Sequence, residues 1–308
     1  MCRPDSAMAI RKESWVIASP TKCNAGASAT IQPLARATGM HANRVGGLGA
    51  ACDIGGRFAA VDPLVVALLS VTALLAGTVD AIAGGGGLIT LPALLTAGLP
   101  PHIALGTNKG QSVWGSAAAL FTFWRVGRVD RRQALYAFPL GLVGSLLGAE
   151  LVLLISRDQL RPVVIAMLLG AAVLLLVKKP SRDEDTPTRK GQVIAAVLAF
   201  VIGAYDGFFG PGTGTFLIVG FVALCGKSLV RATADAKVVN FASNLAAVAS
   251  FARAGTVMWK LALPMAVGQL CGGVIGAKLA MRGGAKLIRV MVLLVSGALV
   301  AKLIYDLV

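Results

Sequence analysis

Apolar residues run along this chain in long uncharged stretches. These are Pro63–Val79, Gly110–Trp124, Gln133–Ala149, Pro162–Val177, Gly191–Tyr205, Gly207–Gly226, Val238–Ala252 and Leu261–Ala277. Most approach the roughly 20 residues an α-helix needs to cross about 30 Å of hydrocarbon. Arg and Lys at their ends can snorkel to the interface and supply the missing turns. The period-two alternation of barrel strands is absent. The pattern predicts an all-α polytopic membrane bundle.

After a polar segment, 1–57, the stretches fall into two copies of one unit. The first copy reads Gly77-Thr-Val-Asp80, Gly84-Gly85-Gly86-Gly87 and Thr107-Asn108-Lys109. The second reads Gly203-Ala-Tyr-Asp206, Gly210-Pro-Gly212-Thr-Gly214 and Thr233-Ala-Asp-Ala-Lys237. Phe123-x3-Gly127-x-Val129 pairs with Phe251-x3-Gly255-x-Val257, and Gly144-x3-Gly148 with Gly272-x3-Gly276. The offset is 126 up to the threonine and 128 after it. The expected organisation is therefore a first repeat over 58–180, a basic linker over 181–190 and a second repeat over 191–308. Residues 1–57 read as a disordered tail, with Met40 an alternative start.

Each copy reads as helix, glycine break, short apolar segment, then three helices. Glycine costs a helix about 1 kcal/mol and proline about 3, so neither break continues one. Irregular backbone at membrane depth survives only where protein buries it or where it lines a cavity. The segments after the breaks (Leu88–Gly98 and Thr215–Cys225) are short for spans. Read as re-entrant, they give four spans per copy and about eight in all. Read as spanning, they give five per copy and inverted halves. We take eight as the expectation.

Composition supports the class. Hydrophobic residues are 56% of the chain and charged residues 14%, far below the quarter typical of soluble domains. The net charge of +15 does not point to nucleic acid. Its basic residues cluster in short loops, Arg125–Arg132 and Lys178–Lys190, as the positive-inside rule requires of a cytoplasmic face. The eight-span reading puts both termini on that face too. The expected setting is the lipid bilayer of a bacterial inner membrane, with a homodimer left open. The five cysteines have no metal-binding spacing, and neither metal nor cofactor is expected.

Ionisable residues within spans are costly and are functional candidates by default. Asp80 and Asp206 each precede a break, and Lys109 and Lys237 each open a later helix. One reading is that each aspartate pairs with a lysine to hold a broken helix. The other is that the lysines meet an anion. A half-helix starting after a glycine run exposes N–H groups and a positive dipole end, which favour an anion. Gly84, Gly85, Gly86 and Gly87 with Gly210, Gly212 and Gly214 would then bind it, together with Lys109, Lys237, Thr107, Asn108 and Asn240. Asp80 and Asp206 are the carboxylates placed to carry coupling protons. Glycines three and four apart, such as Gly141, Gly144, Gly148 and Gly268, Gly272, Gly276, read as close helix packing. Hydrolase signals are weak. There is no GxSxG, HExxH or Walker motif, and Tyr205-Asp206 lacks the GxGD partner of an intramembrane aspartyl protease. An uncoupled anion channel is the other alternative.

The run Gly77–Pro92, followed by Ala104-Leu-Gly-Thr-Asn-Lys109 and Phe123-x3-Gly-x-Val129, resembles the sulfite exporter TauE/SafE family. The run Gly203–Gly214, with Ala236-Lys237 and Asn240, is similar to that family's second signature. The resemblance covers roughly 62–308. It implies an inner-membrane protein of about eight spans, not an enzyme, that moves sulfite, sulfonates or related small sulfur-containing anions.

Overall fold

The computed structural model describes residues 62–156, 185 and 189–307. Its elements are α1 (Pro63–Ala83), α2 (Gly87–Thr96), α3 (Pro101–Arg125), α4 (Arg131–Leu154), α5 (Arg189–Phe208), α6 (Thr213–Cys225), α7 (Leu229–Arg253) and α8 (Trp259–Leu307). α8 is broken at Gly284, whose φ of 56° and ψ of −154° are non-helical. The segment 1–57 and the run Pro162–Val177, expected to be a span, lie outside the described residues.

Local chemistry sets the helix ends. Pro63 occupies the first turn of α1, where its missing N–H costs nothing, and Asp62 Oδ1 accepts from Leu64 N at 2.9 Å. Asp130 caps α4 by accepting from the N–H groups of Arg132 and Gln133. α1 stops where Gly84 turns left-handed at φ 79°.

α1, α4, α5 and the Trp259–Ile288 part of α8 are long and apolar enough to cross a bilayer. Leu64, Leu68, Val71 and Leu75 stand out from α1 with 57–64% of their surface exposed. Such a stripe has no place in water, and it is the lipid-facing side of the helix. α2 and α6, of 10 and 13 residues, are about 15 and 20 Å long and too short to span.

The glycine spacing packs helices as the sequence predicts. A Cβ on Gly268, Gly272 or Gly276 of α8 would stand 2.2–2.3 Å from the carbonyls of Ser70, Leu74 or Thr78 on α1. A Cβ on Gly144 or Gly148 of α4 would meet the carbonyls of Phe200 or Ala204 on α5 at 2.0–2.3 Å. The first helix of each copy is thus packed on a late helix of the other copy, an exchange invisible in the linear repeat.

These contacts also give direction. Residue numbers rise together along α1 and α8 and along α4 and α5, so both pairs are parallel. α3 and α7 are antiparallel. At one end of the bundle Asp130 N, just after α3, donates to Asp235 near the start of α7. At the other end Met258 N, just after α7, donates to Thr107 near the start of α3. Asp185 of the linker accepts from Ser228 N at the first of these ends. α1, which is parallel to α8, therefore starts on the face opposite Asp185. The eight-span expectation is not borne out among the described residues. An even number of crossings per copy would make corresponding helices run the same way, whereas α1 and α5, like α3 and α7, run oppositely. The N-terminus, expected on the basic face, lies outside the described residues.

Candidate functional site

α1 and α5 enter from opposite faces and stop inside the bundle, so the two glycine breaks meet. A Cβ on Gly84 would lie 2.2 Å from the carbonyl carbon of Gly214, and one on Gly214 would lie 2.4 Å from Gly84 Cα. A Cβ on Gly87 would approach Pro211 Cα to 3.3 Å. Thr215 Oγ1 donates to the Ala83 carbonyl at 2.7 Å, fastening one break to the other. Gly84, Gly210 and Gly212 all have positive φ, which an L-residue adopts at a cost. Gly85 and Gly86 are buried. At Gly84 and Gly214 backbone packs on backbone with no side chain between, and a Cβ on Gly86 would meet Ala76 O and Asp80 Cβ of α1 at 2.7 Å.

Charge is exchanged across the same junction. Lys109 Nζ lies 2.8 Å from Asp206 Oδ1, and Lys237 Nζ lies 3.0 Å from Asp80 Oδ2. Lys237 Nζ also donates to the Asp80 carbonyl. Each lysine opens a helix of one copy and pairs with the aspartate of the other. Both are almost wholly buried, Lys109 at 2% and Lys237 at 0% exposure. Each stands eight residues into a 25-residue helix, about 12 Å from an end of the bundle. Since α3 and α7 are antiparallel, the two pairs lie about a third of the way in from opposite ends of the bundle. A buried cation without its carboxylate costs several kcal/mol, so the exchanged pairs also hold the copies together.

A polar shell surrounds the pairs. Lys109 Nζ donates to Asn244 Oδ1 at 3.2 Å. Thr90 Oγ1 and Gln111 Nε2 donate to Asn108 Oδ1 at 2.6 and 3.0 Å. Asn240 Nδ2 would be 3.1 Å from a Cβ on Gly214, which puts it beside the second break. Gln111 Oε1 is buried without a partner among the described residues. Thr107 alone of the expected binding residues is directed elsewhere. It holds the loop after α7 by accepting from Met258 N at 3.0 Å.

Several functional side chains escaped the sequence reading. Thr213 Oγ1 at 2.8 Å and Ser243 Oγ both donate to Asp206. Tyr205 Oη donates to the Pro211 carbonyl at 2.7 Å and steadies the second break. At the basic face Lys227 bridges buried Asp235 and, at 3.5 Å, Asp130. Burial pushes the Asp130 carboxyl up, but the N–H groups of Gln133 and Arg132 with the charges of Lys227 and Arg231 outweigh it and hold it below the ordinary value. Trp124 and Trp259 stand at helix ends as interface aromatics do, whereas Trp114 lies mid-helix.

The family profile described as sulfite exporter TauE/SafE matches residues 69–303. The probable membrane transporter protein ORF9 of Sinorhizobium sp is 41% identical over 242 residues, covering 78% of this chain and 93% of that protein. The probable membrane transporter protein YfcA of Escherichia coli (strain K12) is 40% identical over 247 residues, covering 80% and 92%. A probable membrane transporter protein of Haemophilus influenzae is 40% identical over 242 residues, covering 78% and 95%. No solved structure matches.

Proposed function

The chain belongs to the sulfite exporter TauE/SafE family, and from that premise we propose that it is a secondary transporter of a small anion, sulfite, a sulfonate or a related sulfur-containing or organic anion. The observation that carries the reading is the pair of exchanged ion pairs where two broken helices meet in the middle of the bundle. Broken helices facing each other at mid-depth, from halves of opposite orientation, are the plan of many secondary transporters. In this reading the two halves lie inverted in the membrane, each with its broken first helix and short second helix inserted as a pair. The basic linker lies in the cytoplasm, and α1 starts on the far side of an inner membrane.

Charge accounting suggests the cycle. A lysine in a dry site cannot hold both an aspartate and an arriving anion, because one positive charge would face two negative ones. The anion can take the ammonium only if the carboxylate becomes neutral. Proton uptake by Asp80 or Asp206 releases Lys237 or Lys109, and the N-terminal ends of α2 and α6 add donors for the anion. Return of the carboxylate to its lysine expels the anion and sheds the proton. Asn108 and Asn240, neutral and close by, are suited to orient an oxyanion without competing for the cation. Opening either side requires the glycine contact to part, so its fit sets how readily the protein switches.

The hydrolase reading has less support. Aspartyl chemistry needs two carboxylates that share a proton, and here each carboxylate is engaged by its own lysine. An uncoupled channel would leave the exchanged pairs without a transport role. Reconstitution decides between these readings. Purified protein in liposomes is offered sulfite, thiosulfate, sulfoacetate and sulfate under an imposed pH gradient. Accumulation of one of them above its external concentration is expected. Equilibration without accumulation would indicate a channel, and no movement of any of the four by folded protein would overturn the proposal.

A further inference from the structure

The two ion pairs are related by the repeat but are not alike. Asp206 has its side chain 4% exposed, and both its oxygens accept hydrogen bonds. Oδ1 accepts from Lys109 and Thr213 Oγ1, and Oδ2 accepts from Ser243 Oγ. Its lysine is held as firmly, with Asn244 as a second partner and Gly210 packed so closely that a Cβ there would lie 2.7 Å from Nζ. Asp80 is 21% exposed. It accepts from Lys237 and, at a long 3.3 Å, from the N–H of Gly86. Neither hydroxyl that seals Asp206 has a counterpart. At the offset of 126 Thr213 corresponds to Gly87, and at 128 Ser243 corresponds to Gly115.

The exposure of Asp80 comes from inside the bundle. At 100° per residue its side chain projects from the side of α1 that carries buried Ala73, Ala76 and Gly77, away from the lipid-facing stripe of Leu64, Leu68, Val71 and Leu75. Of the charged residues on α3, α7 and α8, which pack against α1, Lys237 alone reaches it within 4.0 Å among the described residues. α2 and α6 carry no charged residue.

We propose that the pairs have divided the work: Asp80 and Lys237 form the site where a small oxyanion exchanges for the carboxylate, and Lys109 with Asp206 is a fixed strut. The proposal rests on the transport reading and sharpens it. The oxyanion takes the Lys237 ammonium and the Gly86 N–H in place of Asp80, whose carboxylate leaves with a proton. A singly charged anion of the size of hydrogen sulfite suits a place vacated by one carboxylate. At the other pair, three donors would have to be abandoned at once. The polar contacts that make it stable make it unfit to cycle.

The test compares paired neutralisations in liposomes with sulfite as the probe. Lys237→Gln/Asp80→Asn is expected to raise half-saturating sulfite at least about tenfold, the equivalent of one lost interaction of 1.4 kcal/mol, and to remove the pH dependence of uptake. Asp80→Asn alone should keep sulfite exchange across the membrane but lose accumulation driven by a pH gradient. Lys109→Gln/Asp206→Asn is expected to lower the melting temperature, while whatever transport remains keeps the wild-type pH profile. A flattened profile in this second double variant, or an unchanged one in the first, would overturn the division of labour. If the second variant does not fold, accessibility decides. With the five native cysteines replaced, a Cys at position 80 should react with a small methanethiosulfonate reagent and one at position 206 should not. Equal reactivity would overturn the proposal. Failure of the wild type to move any anion would count against the transport reading, and the labelling contrast would still decide whether the pairs differ.

Discussion

Replacing Gly84 with Ala places a methyl group in the contact between the two breaks, and the structure supplies its own controls. The new Cβ would lie 2.2, 2.3 and 2.4 Å from three backbone atoms of Gly214 and Thr215. Backbone cannot swing aside as a flexible side chain can, so the helices must separate. Overpacking of this kind costs about 1–3 kcal/mol. Gly84 also has φ +79°, and a side chain in that conformation costs roughly 1–2 kcal/mol. Loss of unfolded-state freedom returns about 0.4–1 kcal/mol. The net expectation is a loss of about 1–4.5 kcal/mol, or some 2–18 °C in melting temperature for a unit of this size. Gly98 has φ +88° with nothing within 4 Å of its Cβ, and Gly127 has φ +68° with the same open surroundings. Gly98→Ala and Gly127→Ala therefore carry only the backbone strain, a net of about 0–1.5 kcal/mol. Gly214→Ala is the reverse case. It meets Gly84 Cα at 2.4 Å without a positive φ and should cost the clash alone. Thermal unfolding of the four variants in one detergent reads the order. A Gly84→Ala protein that melts within about 2 °C of Gly98→Ala, under 1 kcal/mol apart by the same conversion, would refute the close contact between the breaks.

Lys109→Met leaves Asp206 buried without its cation and should cost about 3–5 kcal/mol. Adding Asp206→Asn should recover most of that loss in a melting experiment, and no recovery would refute the pairing. A cysteine at position 62 should be labelled from outside intact cells and one at position 185 only after permeabilisation, since α1 begins on the face opposite Asp185; labelling of both from one side would refute the inverted arrangement. Asp130 is held below its ordinary value of 3.8, so its contribution is present above that pH and lost as pH falls through the lowered value. Protection of the Arg132 and Gln133 amides against exchange, relative to their intrinsic rates, should therefore fall in strong acid, and Asp130→Asn should lower it at neutral pH as well.

Much of this fold is legible in the residues because membranes restrict the options. Long apolar runs, glycines at three and four spacing and two glycine breaks each have few physical readings, and the packing of α1 on α8 and of α4 on α5 uses the predicted glycines. The repeat also singled out the four charges of the two exchanged pairs. It could not say which lysine meets which aspartate, because equivalence is silent about exchange between copies. Helix direction was illegible for a related reason. The basic loops share a face under either span count, so only the packing chooses. The register also shifts earlier than the threonines suggest. α6 is three residues longer than α2, so the counterpart of Thr107 at the later offset is Asp235, not Thr233. The bonds from Met258 N to Thr107 and from Asp130 N to Asp235 are the matching pair. Asp235 was passed over because its counterpart is neutral.

The central claim is that anion and proton compete through one lysine, and it is tested most directly by measuring both fluxes in the same liposomes. A pH dye and a labelled anion are followed together, starting with sulfite, while the anion gradient is varied at zero membrane potential. The account predicts proton movement in a fixed ratio to the anion at every gradient, and loss of that ratio in Asp80→Asn. Anion flux that proceeds without proton movement in the wild type would contradict it.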